Sequence, residues 1–130
     1  MTIDYPENNV NVFVLSTGRC GSLTFERACS HITNFTAAHE SQARILGDAH
    51  FQYPPRHIEI DNRLSWFLGR IDKVYGQGGY YVHLTRDVEK VAASYATRFG
   101  SGIIRGYTKG MMMGKHNKSV AKEMCLDYCK

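Results

Sequence analysis

The chain has 130 residues, 43% of them hydrophobic and 22% charged. That size and balance fit one globular domain over 1–130 and exclude a disordered, collagen-like or coiled-coil chain. The net charge of +4 is uneven: residues 1–65 carry five Lys/Arg and seven Asp/Glu, residues 66–130 eleven and five.

In chain order, residues 1–9 read as an acidic N-terminal arm. It lacks the basic stretch and apolar core of a secretory signal or mitochondrial leader. The longest apolar run, Val12 to Leu15, is too short for a membrane span. The expectation is a cytoplasmic protein. Val10 to Leu15 is a short β-branched run and predicts a buried strand. Ser16 to Ser22 is a Gly/Ser turn, and Leu23 to His31 has helical spacing. Asn34 to Ala38 predicts a second strand ending at His39-Glu40-Ser41, followed by a short helix from Ser41 to Leu46 closed by Gly47. Pro54-Pro55 breaks the chain. Arg56 to Asp61 alternates as a third strand, and Asn62 reads as an N-cap. From Arg63 to Tyr75, Leu64, Phe67, Leu68, Ile71 and Val74 share a helical face, ended by the glycines at 76, 78 and 79. Tyr80 to Thr85 is the fourth strand. Val88 to Phe99 is the next helix, with Val91, Ala92, Tyr95 and Phe99 as its stripe. The order β-α-β-α-β-α-β-α predicts an α/β fold of three layers, a parallel sheet with helices on both faces. Ligands in such folds bind beyond the carboxyl ends of the strands.

Residues 100–130 read as a basic, Gly/Met-rich and helical tail. Gly102, Gly106, Gly110 and Gly114 recur every four residues, which on a helix forms a smooth stripe for close backbone approach; the alternative is a mobile basic loop that orders on a ligand, and helix is the preferred expectation. Met111-Met112-Met113 reads as adaptable packing. The pattern from Ser119 to Lys130 is helical and stops without a C-cap, as in a C-terminally truncated domain. No acidic residue lies between Glu89 and Glu123, whereas Lys90, Arg98, Arg105, Lys109, Lys115 and Lys118 do. Such a field suits an anionic partner or a solvated basic face. Nucleic acid is not the expected partner, because stacking aromatics beyond Tyr95, Phe99 and Tyr107 are missing from this stretch. Cys20, Cys29, Cys125 and Cys129 contain no CxxC pair. They read as free thiols, and no metal site is expected.

Two motifs carry chemistry. The first is Ser16-Thr17-Gly18-Arg19-Cys20-Gly21-Ser22-Leu23-Thr24. A glycine turn between a buried strand and a helix suits a phosphate, and Arg19 adds a full charge. It is not a complete Walker A, which needs a lysine before the final hydroxyl residue. The second is Arg86-Asp87 at the end of a strand with Ser94 eight residues on, about two helical turns. Asp87 either caps the helix or orients Arg86. His57, Glu59, Asp61 and Arg63 cluster at the third strand. They line a pocket, or face solvent and cap a helix. Phe51, Tyr53 and Trp66 are either apolar walls or core.

Together the two motifs resemble the nucleotide-binding half of the PAPS-dependent sulfotransferases (3′-phosphoadenosine 5′-phosphosulfate as donor). Arg19, Gly21, Ser22 and Leu23-Thr24 match that family's 5′-phosphosulfate loop. Arg86, Asp87 and Ser94 match its 3′-phosphate site in type, order and spacing, with Val88 where a proline is usual. The resemblance covers roughly residues 10–100, and family members are generally longer. It implies a P-loop nucleoside triphosphate hydrolase-like fold, PAPS with 3′,5′-adenosine bisphosphate as product, and no required metal. The nucleotide would be held by Ser16 to Thr24, Arg86 and Ser94. Arg19 would stabilise the leaving phosphate and the sulfuryl oxygens. The family's base follows the second strand, where His39 and Glu40 stand; His39 is preferred for its natural pKa near neutrality. The acceptor would be a small molecule or a carbohydrate, through a hydroxyl or amine. An exposed sheet edge is a route to a homodimer. Two other readings remain open: a P-loop kinase or NTPase, with Asp61 or Asp87 on Mg2+, and a non-catalytic nucleotide-binding module.

Overall fold

The computed structural model describes residues 10–114 and 121–130. The acidic arm at 1–9, and Lys115, Lys118 and Ser119 of the basic tail, lie outside the described residues. The chain is a mixed α/β protein with one four-stranded, all-parallel sheet. It divides into two compact units, Met1–Ser16 with Gly21–Leu84, and Thr17–Cys20 with Thr85–Lys130.

The first unit holds the sheet: β1 (Asn11–Leu15), β2 (Thr36–His39), β3 (His57–Ile60) and β4 (Gly79–His83), in the order β2-β3-β1-β4. Val12 pairs with Ile58 on one side and Tyr80 on the other. Alternation along β1 sends side chains into two clusters. Phe13 and Leu15 pack with Phe51, Tyr53 and Leu64, and with Ile71 and Tyr75 of α2 (Leu68–Tyr75). Val12 and Val14 pack with Ile58, Ile60 and Cys29, and with Phe25 of α1 (Ser22–Ala28). Both faces of β1 are thus covered, which is why it reads as a continuous apolar run rather than an alternating one. Burying a side chain such as that of Phe13 is worth about 1.5–3 kcal/mol.

Several local expectations are corrected. Residues 41–44 form turns, not a helix, and Gly47 opens a 3-10 turn, Gly47–Phe51. The cause is side-chain capture: the backbone N–H and hydroxyl of Ser41 both donate to the Glu59 carboxylate, at 2.7 and 2.6 Å. No α-helix therefore separates β2 from β3. The helix expected from Arg63 to Tyr75 is two pieces, a 3-10 turn Asn62–Trp66 and α2, divided at Phe67. Its cap is Asp61, which accepts from the Arg63 backbone N–H at 2.8 Å, not Asn62. Because the phase shifts at Phe67, only Leu64 and Ile71 of the expected stripe are buried, while Phe67, Leu68 and Val74 are exposed. Gly76 ends α2 with a positive φ of 49°, as its position requires. Tyr80, Tyr81 and Val82 of the edge strand β4 are exposed.

The second unit is helical: α3 (Val88–Ala96), α4 (Gly102–Arg105), a π-helical turn (Gly106–Met111) and α5 (Ala121–Tyr128). Val91, Ala92, Tyr95 and Phe99 form the expected stripe and pack with Ile104, Ala121 and Cys125. The glycine segment is helical to Met111, and of its four glycines Gly114 lies against a neighbour, where a Cβ would stand 3.5 Å from Met124 Cε. A Cβ at Gly106 or Gly110 would meet nothing within 4 Å, and Gly102 is needed for its positive φ of 60°. Met111, Met112 and Met113 are exposed, which overturns their reading as packing. Among the described residues no helix is long and apolar enough to cross a membrane.

Candidate functional site

Parallel pairing puts the carboxyl ends of β1, β2 and β3 side by side in the first unit. The Glu40 N–H continues the ladder to the Ile60 carbonyl at 3.0 Å, and the Asp61 N–H to that of Val14 at 3.3 Å. Ser16, His39, Glu40 and Asp61 therefore stand at one end of the sheet. Ser16 is buried, and its carbonyl accepts from the Ser65 hydroxyl at 3.3 Å. At this end His39 Nε2 and the Ser22 hydroxyl, from the first residue of α1, are 3.0 Å apart. Glu40, held at a positive φ of 50°, pairs through Oε1 with Arg63 Nη1 at 3.0 Å. The two base candidates lie together, His39 Nε2 4.0 Å from Glu40 Oε1; His39 also meets the Ser22 hydroxyl, while Glu40 is engaged more closely by the Arg63 guanidinium.

Beside them lies a buried polar chain on β3. His57 Nε2 donates to Glu59 Oε2 at 2.8 Å, and its Nδ1 lies 2.7 Å from the Thr36 hydroxyl. The Tyr53 ring stacks on His57, with centroids 5.7 Å apart. Glu59 also takes both Ser41 donors, and is fully buried. Asp61 is fully buried too. Burial pushes its carboxyl above the ordinary range, the Arg63 N–H opposes this, and the Glu40 and Glu59 charges add to it. His57, Glu59 and Asp61 neither face solvent nor present a pocket wall. Phe51 and Tyr53 are core, and Trp66 is exposed.

The second unit gathers the other half of the expected residues. Arg19 Nε donates to the Ser94 hydroxyl at 2.8 Å. Arg86 Nη1 donates to the Arg19 carbonyl at 3.0 Å. The loop arginine, the strand-end arginine and the helical serine of two motifs some seventy residues apart are thus in contact. Arg19 and Arg86 are exposed, and among the described residues neither has a carboxylate partner. Asp87 accepts from the Lys90 backbone N–H at 3.0 Å, so it caps α3. Gly18 and Arg19 have positive φ values of 92° and 55°. For arginine that conformation is strained by roughly 1–3 kcal/mol. The loop's Cys20 thiol donates to the Gly18 carbonyl at 3.2 Å.

Of the remaining loop residues, Gly21 takes the left-handed conformation as the N-cap of α1, and Leu23 and Thr24 are exposed. Helix α1 has only seven residues, so its dipole is weaker than the sequence pattern suggests. Two contributors escaped the sequence reading. The hydroxyls of Tyr95 and Tyr128 both donate to the Thr17 carbonyl, at 2.6 and 2.7 Å. Tyr95 reads as part of an apolar stripe. The available signal was that a buried tyrosine, unlike a phenylalanine, needs a polar partner. Among the described residues no group of three or more His, Cys, Asp or Glu side chains is placed to hold a metal ion.

No family model matches the chain, and neither a curated protein nor a solved structure matches it.

Proposed function

We propose that this chain binds 3′-phosphoadenosine 5′-phosphosulfate and transfers its sulfuryl group to a hydroxyl or amine of a small-molecule or carbohydrate acceptor. The observation that carries the reading is the Arg19–Ser94 and Arg86–Arg19 contact pair. Two guanidinium groups that, among the described residues, bond only to a neutral hydroxyl and a carbonyl keep their positive charge uncompensated there, the condition for recognising phosphate. Arg86 and Ser94 would hold the 3′-phosphate. Arg19 and the loop hydroxyls would hold the 5′-phosphosulfate and stabilise charge on the departing phosphate. His39 is the base we favour over Glu40, because the Arg63 ion pair already engages Glu40. The reaction breaks the sulfur–oxygen bond to the nucleotide phosphate and forms a sulfur–oxygen or sulfur–nitrogen bond to the acceptor hydroxyl or amine, whose proton passes to the base. An all-parallel sheet with the phosphate loop after its first strand supports a P-loop-like fold.

The test is calorimetric titration with 3′,5′-adenosine bisphosphate, beside ADP and ATP with and without Mg2+. Metal-independent preference for the bisphosphate is expected, and Arg86→Ala should weaken it roughly 10- to 100-fold, the value of a charge-assisted hydrogen bond. A preference for ATP with Mg2+ would replace this reading by a kinase-like one. Binding of none of them would leave it without support.

A further inference from the structure

We infer that Cys20 and Cys129 form a thiol pair that a peroxide closes into a disulfide, and that closing it disables the anion loop. The pairing follows from contacts within the second unit. The Thr17 carbonyl is held by Tyr95 from α3 and by Tyr128, the last residue of α5. The two tyrosine rings meet edge to face, with centroids 5.4 Å apart. Cys129 is the next residue after Tyr128, and its N–H donates to the Cys125 carbonyl at 3.2 Å, which fixes the helix end. On the loop side, Cys20 Sγ lies 3.6 Å from Thr17 Oγ1. Both thiols are half-buried against the cluster of Val91, Ala92, Tyr95 and Cys125. Burial raises the Cys129 thiol, and the neighbouring Cys20 thiol raises it further. Tyr95 is raised by burial, then by Tyr128, and then by both of these thiols.

The other cysteines are poorer partners. Cys125 is fully buried, and burial pushes its thiol up to about 11. Cys29 belongs to the first unit and is buried there. Cys20 follows Arg19 in the anion loop. Its sulfur attacks hydrogen peroxide, the O–O bond breaks, and a sulfenic acid and water result. The Cys129 thiol then attacks that sulfur, gives up its proton and displaces hydroxide, and the two leave as water. Two thiols and one peroxide give one disulfide and two waters.

A disulfide brings two Cα atoms within about 4.4–6.8 Å and fixes its own dihedral. The new bond removes the thiol hydrogen that bonds the Gly18 carbonyl. It ties the residue after Arg19 to α5, at a point where Arg19 already holds an unfavourable φ of 55°. The Arg19–Ser94 contact is the first to be disturbed. The effect on binding rests on the nucleotide reading proposed above, whereas the pairing of the thiols does not.

The experiment treats the full chain and its Cys20→Ser, Cys125→Ser and Cys129→Ser variants with hydrogen peroxide. Free thiols are then blocked and the peptides mapped by mass. A Cys20–Cys129 crosslink is expected in the wild type and in Cys125→Ser, and in neither of the other two. A Cys125–Cys129 link, or sulfinic acid at Cys20 without any link, overturns the pairing. Titration with 3′,5′-adenosine bisphosphate follows on reduced and oxidised protein. Oxidation should weaken binding by about tenfold or more in the wild type, reversibly with dithiothreitol, and leave Cys129→Ser unchanged. Equal affinities of crosslinked and reduced protein overturn the gating. A reduced protein that binds no bisphosphate defeats the nucleotide reading and the gating together, while the crosslink map still decides the pairing.

Discussion

The polar network on β3 and the loop contacts of the second unit use similar side chains for opposite ends. On β3 the Glu59 carboxylate is sealed from solvent and meets three donors, from His57 and twice from Ser41. In the second unit Arg19 and Arg86 are exposed and bonded to a hydroxyl and a carbonyl, neither of which cancels charge. A buried ion with its partners in place is bound up with the fold. An exposed cation without a counter-charge contributes little to folding and is available to a ligand. The difference separates residues that hold the sheet end together from residues whose charge is left uncompensated.

The strongest way to break this contrast is Glu59→Ala. It strands the His57 and Ser41 donors inside the first unit and should cost about 3–5 kcal/mol by urea unfolding, as removal of one partner from a buried pair does. Glu59→Gln keeps one acceptor but turns a donor toward a donor, so its midpoint should fall between the two. A loss below about 0.5 kcal/mol in Glu59→Ala, the size of an ordinary surface substitution, would erase the distinction.

How much of this was legible in the sequence follows from the range of the interactions involved. The four strands and α3 were readable because β-branched runs and the Val91/Ala92/Tyr95/Phe99 stripe are local signals. The missing helix after β2 was not, because Ser41 is captured by Glu59, eighteen residues away. The split at Phe67 and the cap at Asp61 were hidden for a similar reason, since the helical spacing of Leu64 and Ile71 survives a change of helix type. At the site, residue types named Arg19, Arg86, Ser94, His39 and Ser22, which contact one another as two separate groups. The bond between Arg19 and Ser94 spans 75 positions. The sequence reading did not pair them, since Arg19 was matched to the 5′-phosphosulfate loop and Ser94 to the 3′-phosphate site. The tyrosine hydroxyls on Thr17 reach across 78 and 111 positions, and periodicity has nothing to say about them.

Asp61 sharpens the contrast through pH. Among the described residues its Oδ2 has no hydrogen-bond partner, and burial raises its folded pKa above the unfolded value. A raised carboxyl binds its proton more tightly in the folded state. Its stabilising effect is complete below the unfolded pKa, about 4, and is lost as pH rises through the folded value. Asp61→Asn keeps a capping oxygen for the Arg63 N–H without the charge. Its urea midpoint should exceed that of the wild type at pH 7, and the advantage should vanish below about pH 4. An advantage that is constant with pH would mean that the charge is not its source.

The smallest effect concerns Asp87, which stands between the two kinds of residue. It follows Arg86, yet its Oδ1 accepts from the Lys90 N–H at the start of α3, and no ion pair joins it to Arg86 among the described residues. An N-cap is replaceable by another short acceptor, whereas a charge that orients a guanidinium is not. Asp87→Ala should therefore lose about 1 kcal/mol of stability, and Asp87→Asn almost none. The bisphosphate affinity of Asp87→Asn should match that of the wild type by calorimetry. If the asparagine variant keeps its stability but loses affinity, the Asp87 carboxylate acts on Arg86 when nucleotide arrives. Asp87 would then join the ligand-facing residues rather than those that hold the fold.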